Sequence, residues 1–186
     1  MKYVLALAIF LISWAAFGYK VYDESIAQKE VESFIKKFHK NSPQKLRKRS
    51  LSFVPAIVHW SKEYEIDPLL TSTIISLESS FIPGSVGAVG EIGLMQLHWR
   101  GAKRGFDLSK PEEQIHAGVK HLSKCFELCD DELAKALTAY ARGGCNKRYG
   151  GLKYRLRAYK RALTTHRIGA EKEILYEIQR ALWRLR

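Results

Sequence analysis

The stretch Leu77-Glu-Ser-Ser-Phe81, followed after a turn-rich loop by Gly93-Leu-Met-Gln96, carries the strongest indication of fold in this 186-residue sequence. Upstream, Asp67-Pro68 is typical of a helix N-cap followed by proline at the first helical position. Apolar residues then recur at helical spacing until Ser79-Ser80, where the pattern stops. The sequence therefore predicts a helix whose last turn holds Glu78.

The predicted position of Glu78 favours a role in proton transfer. A carboxylate in the last turn of a helix meets the negative end of the helix dipole, and the apolar neighbours of Glu78 reduce its solvation. Both effects favour the neutral acid, which can protonate a glycosidic oxygen. An ordinary surface glutamate at a helix end fits the same local pattern, so the helix alone leaves both interpretations open.

Most of the remaining chain also predicts helices. Helical periodicity recurs through most of the sequence, whereas alternating β-branched runs are scarce. The glycines and proline of residues 82–92 indicate a loop, with room for a minor hairpin. The length suits one helical domain with a core, plus attachments. No phosphate loop, nucleotide-binding glycine fingerprint, serine-triad elbow or metalloprotease motif occurs.

Four blocks of sequence share the order of a known family. Residues 78–83 and 89–96 resemble the lytic transglycosylases of the soluble, goose-lysozyme-like (SLT) family, whose signature joins Glu-Ser to a Gly-x-x-Gly-Leu-Met-Gln turn at this separation. Residues 115–122 match the glycine-containing helix of that family, and residues 139–143 match its Tyr-Asn-x-Gly element. The resemblance covers roughly residues 53–144. It implies a mainly α, lysozyme-like single helical domain.

The resemblance also implies an activity. The expected reaction is cleavage of the β-1,4 bond between N-acetylmuramic acid and N-acetylglucosamine in peptidoglycan, with formation of 1,6-anhydro ends and without consumption of water. Glu78 would act first as the acid and then as the base, so that neither a metal nor a cofactor is needed. Family correspondence makes Tyr140 the residue that orients Glu78 and makes Gln96 a residue that lines the cleft. Ser79, Met95 and Glu91 complete the expected substrate-binding set.

Some of these residues also suit other roles. Tyr140 and Met95 fit core positions by helical spacing and by apolarity, and Gln96 fits a solvated helix end. The family usually has alanine where this chain has Glu91, serine at Gly87 and asparagine at Ala141. Glu91 is compatible with a second carboxylate in a hydrolytic lysozyme of the same fold. It is also compatible with a residue that caps a helix beginning at Gly93.

The N-terminus differs from the rest of the chain. Residues 3–17 are almost continuously apolar after Lys2. This length lies between the apolar region of a secretory signal and a full membrane span, so a cleaved signal peptide and an uncleaved anchor in the inner membrane both fit. Both interpretations export the protein to the periplasm or cell envelope. The predicted organisation is residues 1–20 as signal or N-terminal hydrophobic helix, 21–49 as an amphipathic basic linker helix, 50–150 as the catalytic domain and 151–186 as a basic helical extension.

The net charge of +12 indicates an anionic partner. Lysine and arginine are concentrated in residues 36–49 and 147–186. Peptidoglycan strands, anionic wall polymers and membrane head groups all qualify, and tyrosines among the basic residues leave nucleic acid as a less favoured alternative. A non-catalytic basic protein of the same fold is therefore a rival interpretation. A secretion apparatus, a conjugation apparatus and a phage particle are all compatible settings.

Three cysteines are too few for a disulfide framework, and their odd number leaves one without a partner in the chain. Cys125, Cys129 and Cys145 lie close enough in sequence for a bridge in an oxidising compartment, but spacing does not select a pair. His116 and His121 form no convincing zinc motif with these cysteines. The sequence therefore predicts no metal site.

Overall fold

A computed structural model of the chain describes residues 23–98 and 105–168, together with Ile178 and Leu182. The predicted signal or anchor at residues 1–20 lies outside the described residues. Within the described part, no helix is both long enough and apolar enough to cross a membrane. The elements in chain order are α1 (Glu24–Phe38), α2 (Gln44–Leu51), α3 (Val54–Glu63), α4 (Pro68–Glu78), β1 (Glu91–Ile92), β2 (Leu97–His98), α5 (Pro111–Leu128), α6 (Leu133–Arg142) and α7 (Leu152–His166).

The helix that ends at Glu78 is the centre of the fold. The Asp67 side chain accepts a hydrogen bond from the Leu69 amide at 2.9 Å, and Pro68 occupies the first turn, so the predicted start of α4 is confirmed. All residues of α4 through Ser76 are buried, since α1, α3 and α7 surround the helix. The hydroxyls of Ser72, Thr73 and Ser76 donate to carbonyls of their own helix, whereas the Thr71 hydroxyl shares a hydrogen bond with the Ser61 hydroxyl of α3 at 2.8 Å. The helix is therefore buried on all sides and not along a single stripe.

The segment predicted as a linker helix belongs to the core. Helix α1 packs against α3, α4 and α7, and Ala27, Val31 and Ile35 are almost fully buried there. Its amphipathic pattern correctly indicated an apolar face, but the pattern did not show what that face covers. The predicted linker segment at residues 21–49 therefore contributes a helix to the core.

A short hairpin carries the predicted glycine turn. Strands β1 and β2 pair antiparallel, and an isolated bridge joins Val86 to Ile92, so the hairpin extends beyond the predicted residues 82–92. Gly93 has a φ of +82°, and a Cβ atom at this position would lie 2.6 Å from the Gln114 side chain. Gln114 in turn accepts from the Leu94 amide at 2.8 Å and donates to the Leu108 carbonyl at 2.8 Å. Glycine is needed because the turn lies directly on α5.

The C-terminal helix also belongs to the core. Leu152, Leu156, Tyr159 and Leu163 of α7 are buried, and α7 packs along α4. The core therefore continues past the predicted boundary at residue 150 and through α7. Beyond it, Ile178 is fully buried and Leu182 packs against the same core, which agrees with a C-terminal run that folds back on the domain.

A disulfide links the regions on either side of α6. Cys129, which follows α5, is bonded to Cys145, which follows α6, while Cys125 is a buried free thiol. Burial raises the pKa of Cys125 to about 11, so its thiol stays protonated at neutral pH. The structure thereby selects one pairing among those that the sequence left open.

Candidate active site

Glu78 forms an ion pair with an arginine from the C-terminal helix. Glu78 is the last residue of α4, and its Oε1 accepts a hydrogen bond from Nη2 of Arg155 in the first turn of α7. The two side chains are only 17% and 11% exposed, respectively. The predicted position of Glu78 at the end of its helix is confirmed. Its partner lies 77 residues away in sequence and was not predicted.

Tyr149 holds the other side of the arginine. Arg155 Nε donates to the Tyr149 hydroxyl, and the guanidinium carbon lies 5.5 Å from the centre of the Tyr149 ring. Gly151 makes room for this ring, because a Cβ there would lie 2.6 Å from the tyrosine oxygen. Burial alone would lower the pKa of Arg155, but the charge of Glu78 and the hydrogen bonds that Arg155 donates to Tyr149 and Glu78 raise the pKa above its usual value. Arg155 is therefore a permanent cation in this site.

One guanidinium nitrogen of Arg155 is unsatisfied. Nη1 is buried and has no hydrogen-bond partner among the described residues. Leaving a buried donor without an acceptor costs about 1–3 kcal/mol. Tyr149 and Glu78 therefore use two edges of the guanidinium, and the third edge is enclosed by the protein.

Tyr140 lies within electrostatic range of this pair. Burial raises the pKa of its hydroxyl well above the usual value, the charge of Glu78 raises it further, and Arg155 partly offsets the rise. The hydroxyl donates its proton to the Met95 carbonyl at 2.7 Å. Because a tyrosine has one hydroxyl proton, Tyr140 does not donate to Glu78 in this arrangement. It connects α6 to the glycine turn.

Ser79 and Met95 connect the sequence blocks to one another through buried contacts. Ser79 is buried, and its Oγ donates to the Leu94 carbonyl at 2.8 Å, which ties the end of α4 to the glycine turn. Met95 is 0% exposed and packs on Gly118, where any Cβ atom would overlap the methionine side chain. The Met95 side chain therefore lies in the core and offers no surface to a glycan. This contact explains why α5 carries a glycine at that position.

Gln96 and Glu91 both lie beside Gly87. Gln96 Nε2 donates to the Gly93 carbonyl at 2.9 Å and to the Ser85 carbonyl at 3.2 Å. Glu91 Oε2 accepts from the Val89 amide at 3.2 Å. A Cβ at Gly87 would overlap the Glu91 carboxylate, so glycine leaves room for it. Because residues 93–96 form a turn of the hairpin, Glu91 does not cap a helix there, and that alternative was wrong.

Arg155 and Tyr149 are the site residues that sequence reasoning missed. The predicted basic extension at residues 151–186 placed Arg155 outside the catalytic domain, whereas Tyr149 lies within the predicted domain but in none of the family's sequence blocks. The spacing of Leu152, Leu156 and Leu163 does carry a signal, since it places Arg155 at the edge of a buried helical face. No cluster of three or more potential metal ligands occurs among the described residues.

Comparison with known proteins gives one family. The family model described as the transglycosylase SLT domain matches residues 55–161. An endo-type membrane-bound lytic murein transglycosylase A of Klebsiella pneumoniae is 30% identical over 95 residues, which cover 44% of this chain and 47% of the relative. The protein of the same name from Salmonella paratyphi B is 32% identical over 89 residues, covering 41% and 44%. The chain thus spans about half the length of the curated relatives it matches.

Proposed function

Because the chain belongs to the transglycosylase SLT domain family, we propose that it is a peptidoglycan lytic transglycosylase. The bond cleaved is the β-1,4 linkage between N-acetylmuramic acid and N-acetylglucosamine, and the product carries a 1,6-anhydro-muramic acid end. The observation that carries this proposal is the position of Glu78: a nearly buried carboxylate at the end of the central helix, against Arg155 and near Tyr140.

The chemistry requires one carboxyl group used twice. Glu78 donates its proton to the glycosidic oxygen as the bond from that oxygen to C1 breaks. The carboxylate that remains then accepts the proton of the C6 hydroxyl, whose oxygen attacks C1 and closes the anhydro ring. The attacking hydroxyl belongs to the same sugar, so its high effective concentration replaces a bound water. Arg155 stabilises the carboxylate in the interval between the two proton transfers.

The contacts of the other candidate residues favour structural roles around the site. Ser79, Tyr140 and Gln96 fix the glycine turn against the end of α4 by the hydrogen bonds described above. Glu91 bonds within its own loop, which favours a loop-shaping role over that of a second catalytic carboxylate. Gln96 and Glu91 are both half-buried, so each keeps some surface that a glycan can contact.

The proposed place of action is the cell envelope. Peptidoglycan lies there, the relatives are named membrane-bound, and residues 3–17 suit either an export signal or an anchor. The exposed basic residues Lys45 and Lys48 of α2 and Arg157 and Arg161 of α7 would favour contact with anionic wall polymers or head groups. A secretion, conjugation or phage assembly is a compatible setting for such an enzyme.

Product analysis tests the proposal. Purified peptidoglycan is incubated with the protein, and the released muropeptides are identified by mass spectrometry, with Glu78→Gln as the matched inactive control. Anhydro ends that appear with the wild type and not with the variant support a transglycosylase. Reducing ends would instead identify a hydrolytic lysozyme of the same fold. Salt-sensitive binding with no released product would identify a non-catalytic basic protein.

A further inference from the structure

The loop that supplies Tyr149 also carries two exposed cations, Lys147 and Arg148, which together are called the basic rim. We infer that the basic rim binds free carboxylates of the peptide stem on the muramic acid at the scissile bond. The inference rests on the proposed function and deepens it, because it makes glycan with anionic peptide stems the preferred substrate.

The basic rim adjoins the candidate acid. Arg148 directly precedes Tyr149 in the chain. Tyr149 accepts a hydrogen bond from Arg155, which is the ion-pair partner of Glu78. Because consecutive Cα atoms are about 3.8 Å apart, the side chain of Arg148 starts from a backbone position next to the site. A glycan bound at Glu78 would therefore bring its substituents close to the rim.

The loop of the basic rim is held at both ends. Cys145 is bonded to Cys129 at one end, and the contacts of Tyr149 described above hold the other end. Within the loop, a Cβ atom at Gly144 would lie 3.2 Å from Cε of Lys147, so the aliphatic part of the lysine lies along the loop backbone. Cations on a loop that is already fixed lose less conformational freedom when they bind a ligand.

The charge of the basic rim is not matched by a contact within the described part of the protein. Lys147 and Arg148 are exposed, and neither forms an ion pair with a described residue. Asp130 and Asp131 follow Cys129, which the disulfide joins to this loop, yet neither of them pairs with the rim. Both cations are therefore accessible to an anionic group of a ligand.

The two segments next to Glu78 differ in charge. Residues 79–98 contain one glutamate and neither lysine nor arginine, and Ile82, Val86 and Val89 are exposed there. Residues 142–149 contain three basic residues and no acidic residue. The first segment suits uncharged sugar rings, whereas the second suits an anionic substituent of those sugars. The charge is thus concentrated on one side of the site.

Peptide stems supply the matching charge. In peptidoglycan the stem is attached through the lactyl group of N-acetylmuramic acid, the sugar whose C1 is attacked in the proposed reaction. The stem carries free carboxylates, which pair with lysine and arginine by charge-assisted hydrogen bonds. Because the stem and the scissile bond belong to the same sugar, an ion pair with the stem would also help to orient that bond.

Kinetics on two matched substrates test the basic rim. Soluble uncross-linked strands are used with native stems and with stem carboxylates converted to neutral amides. The variant Lys147→Gln with Arg148→Gln should raise KM for native strands about fivefold, the size expected from two exposed ion pairs, and leave KM for amidated strands unchanged. The control Lys29→Gln with Lys62→Gln removes two exposed cations elsewhere and should change neither KM.

Binding gives a readout that does not depend on turnover. The two substrates are titrated calorimetrically into Glu78→Gln and into the same variant with the rim substitutions added. These substitutions should weaken the binding of native strands about fivefold, and added salt should remove the difference between the two proteins. If the wild type releases no anhydro ends, the proposed function fails, while this comparison still decides whether the rim binds peptide stems.

The wild type alone provides a result that needs no rim variant. Its KM should be about fivefold higher for amidated strands than for native strands, and equal KM values overturn the proposal. Equal losses of the rim variant on both substrates also overturn it, because the rim would then not recognise the carboxylates. Vesicles of phosphatidylcholine and phosphatidylglycerol test the competing partner. If the rim variant loses vesicle binding but keeps its affinity for native strands, the rim is a membrane-binding surface and the proposal is wrong.

Discussion

Both ends of α4 carry a buried ion pair, and the two ends differ in the number of charged side chains that take part. At the N-terminal end, Asp67 accepts from the Leu69 amide, from the Tyr159 hydroxyl and from the Arg167 guanidinium. Arg167 Nε also lies 3.6 Å from Glu30, a carboxylate that is 1% exposed. Each charged side chain at this end therefore contacts an opposite charge, and two of the carboxylates share one guanidinium.

The C-terminal end is open by comparison. Among the described residues, Glu78 forms an ion pair with Arg155 alone, and the Glu78 side chain is 17% exposed where that of Asp67 is 10% exposed. A network that links several buried charges suits a structural role. A single ion pair that keeps some access to water suits a reactive site, because its carboxylate can still meet a substrate. The number of charged partners, and not the presence of an ion pair, separates the two ends.

The largest expected difference between the two ends is a difference in enzyme activity. Glu78→Gln should lower muropeptide release by about a thousandfold or more, because the proton donor is lost. Asp67→Asn should leave the rate of the folded protein unchanged, since asparagine is also a good N-cap and the site lies at the other end of the helix. Both rates are measured well below the melting temperature of each variant. A comparable loss in both variants would show that the two ends are not separate in function.

For stability the order of the two ends should be reversed, with the larger loss at the N-terminal end of α4. Arg167→Met leaves the Glu30 and Asp67 carboxylates without their shared cation, which should lower the free energy of unfolding by about 3–5 kcal/mol. Arg155→Met should cost less, because it affects one carboxylate that retains some access to water. Urea denaturation of both variants measures the difference, with Arg157→Met as the surface control. Equal losses would contradict the distinction between a closed and an open end.

Removal of the disulfide tests how the open end is supported. Cys129 and Cys145 enclose α6 in a loop of sequence separation 16, and Cys145 precedes Tyr149 by four residues. The double variant Cys129→Ala with Cys145→Ala should lose about 3 kcal/mol of stability, since a loop of this length gains conformational freedom when unfolded. Urea denaturation with and without reductant provides the measurement. Reductant should shift the wild type to the midpoint of the variant and leave the variant itself unchanged.

The smallest effect concerns a buried histidine behind the open end. His39 packs on the ring of Phe81, three residues after Glu78, and its two ring nitrogens contact Ser42 and Ser50 at 3.0 Å. Burial, with a smaller contribution from Arg49, lowers the pKa of His39. The unfolded chain therefore binds the proton more readily, and the stability that neutral His39 contributes is complete above about pH 6.5 and declines as pH falls below it.

Melting temperatures measured from pH 8 to pH 5 check this direction. Burial also lowers the pKa of His116, His121 and His166, so the wild-type decline contains their contributions. The variant His39→Asn isolates the contribution of His39, because its melting temperature should fall less than that of the wild type over the same pH range. Parallel curves for the two proteins would mean that His39 does not contribute.

The sequence predicted the parts of the site that depend on local signals. Asp67-Pro68 indicated the start of α4, Ser79-Ser80 its end, and glycine at position 93 the turn, because caps and positive φ angles restrict residue type locally. The contact between Glu78 and Arg155 could not be predicted in this way. It joins two helices 77 residues apart, and no cap, turn or period specifies which helices meet. The same limit applies to the predicted domain boundaries, because the apolar stripes of α1 and α7 indicated a buried face but not the helices that each face contacts.

Because α4 is buried on all sides, it should tolerate amino-acid substitution less than the loop that follows it. Every position from Pro68 to Ser76 is enclosed by neighbouring helices, so a change of side-chain volume there disturbs packing before it can alter chemistry. The loop that follows is different, since Val86 and Val89 are 73% and 69% exposed. Diversification of substrate preference in the laboratory is therefore best directed at this loop, with the helix that supplies the acid kept as an invariant scaffold.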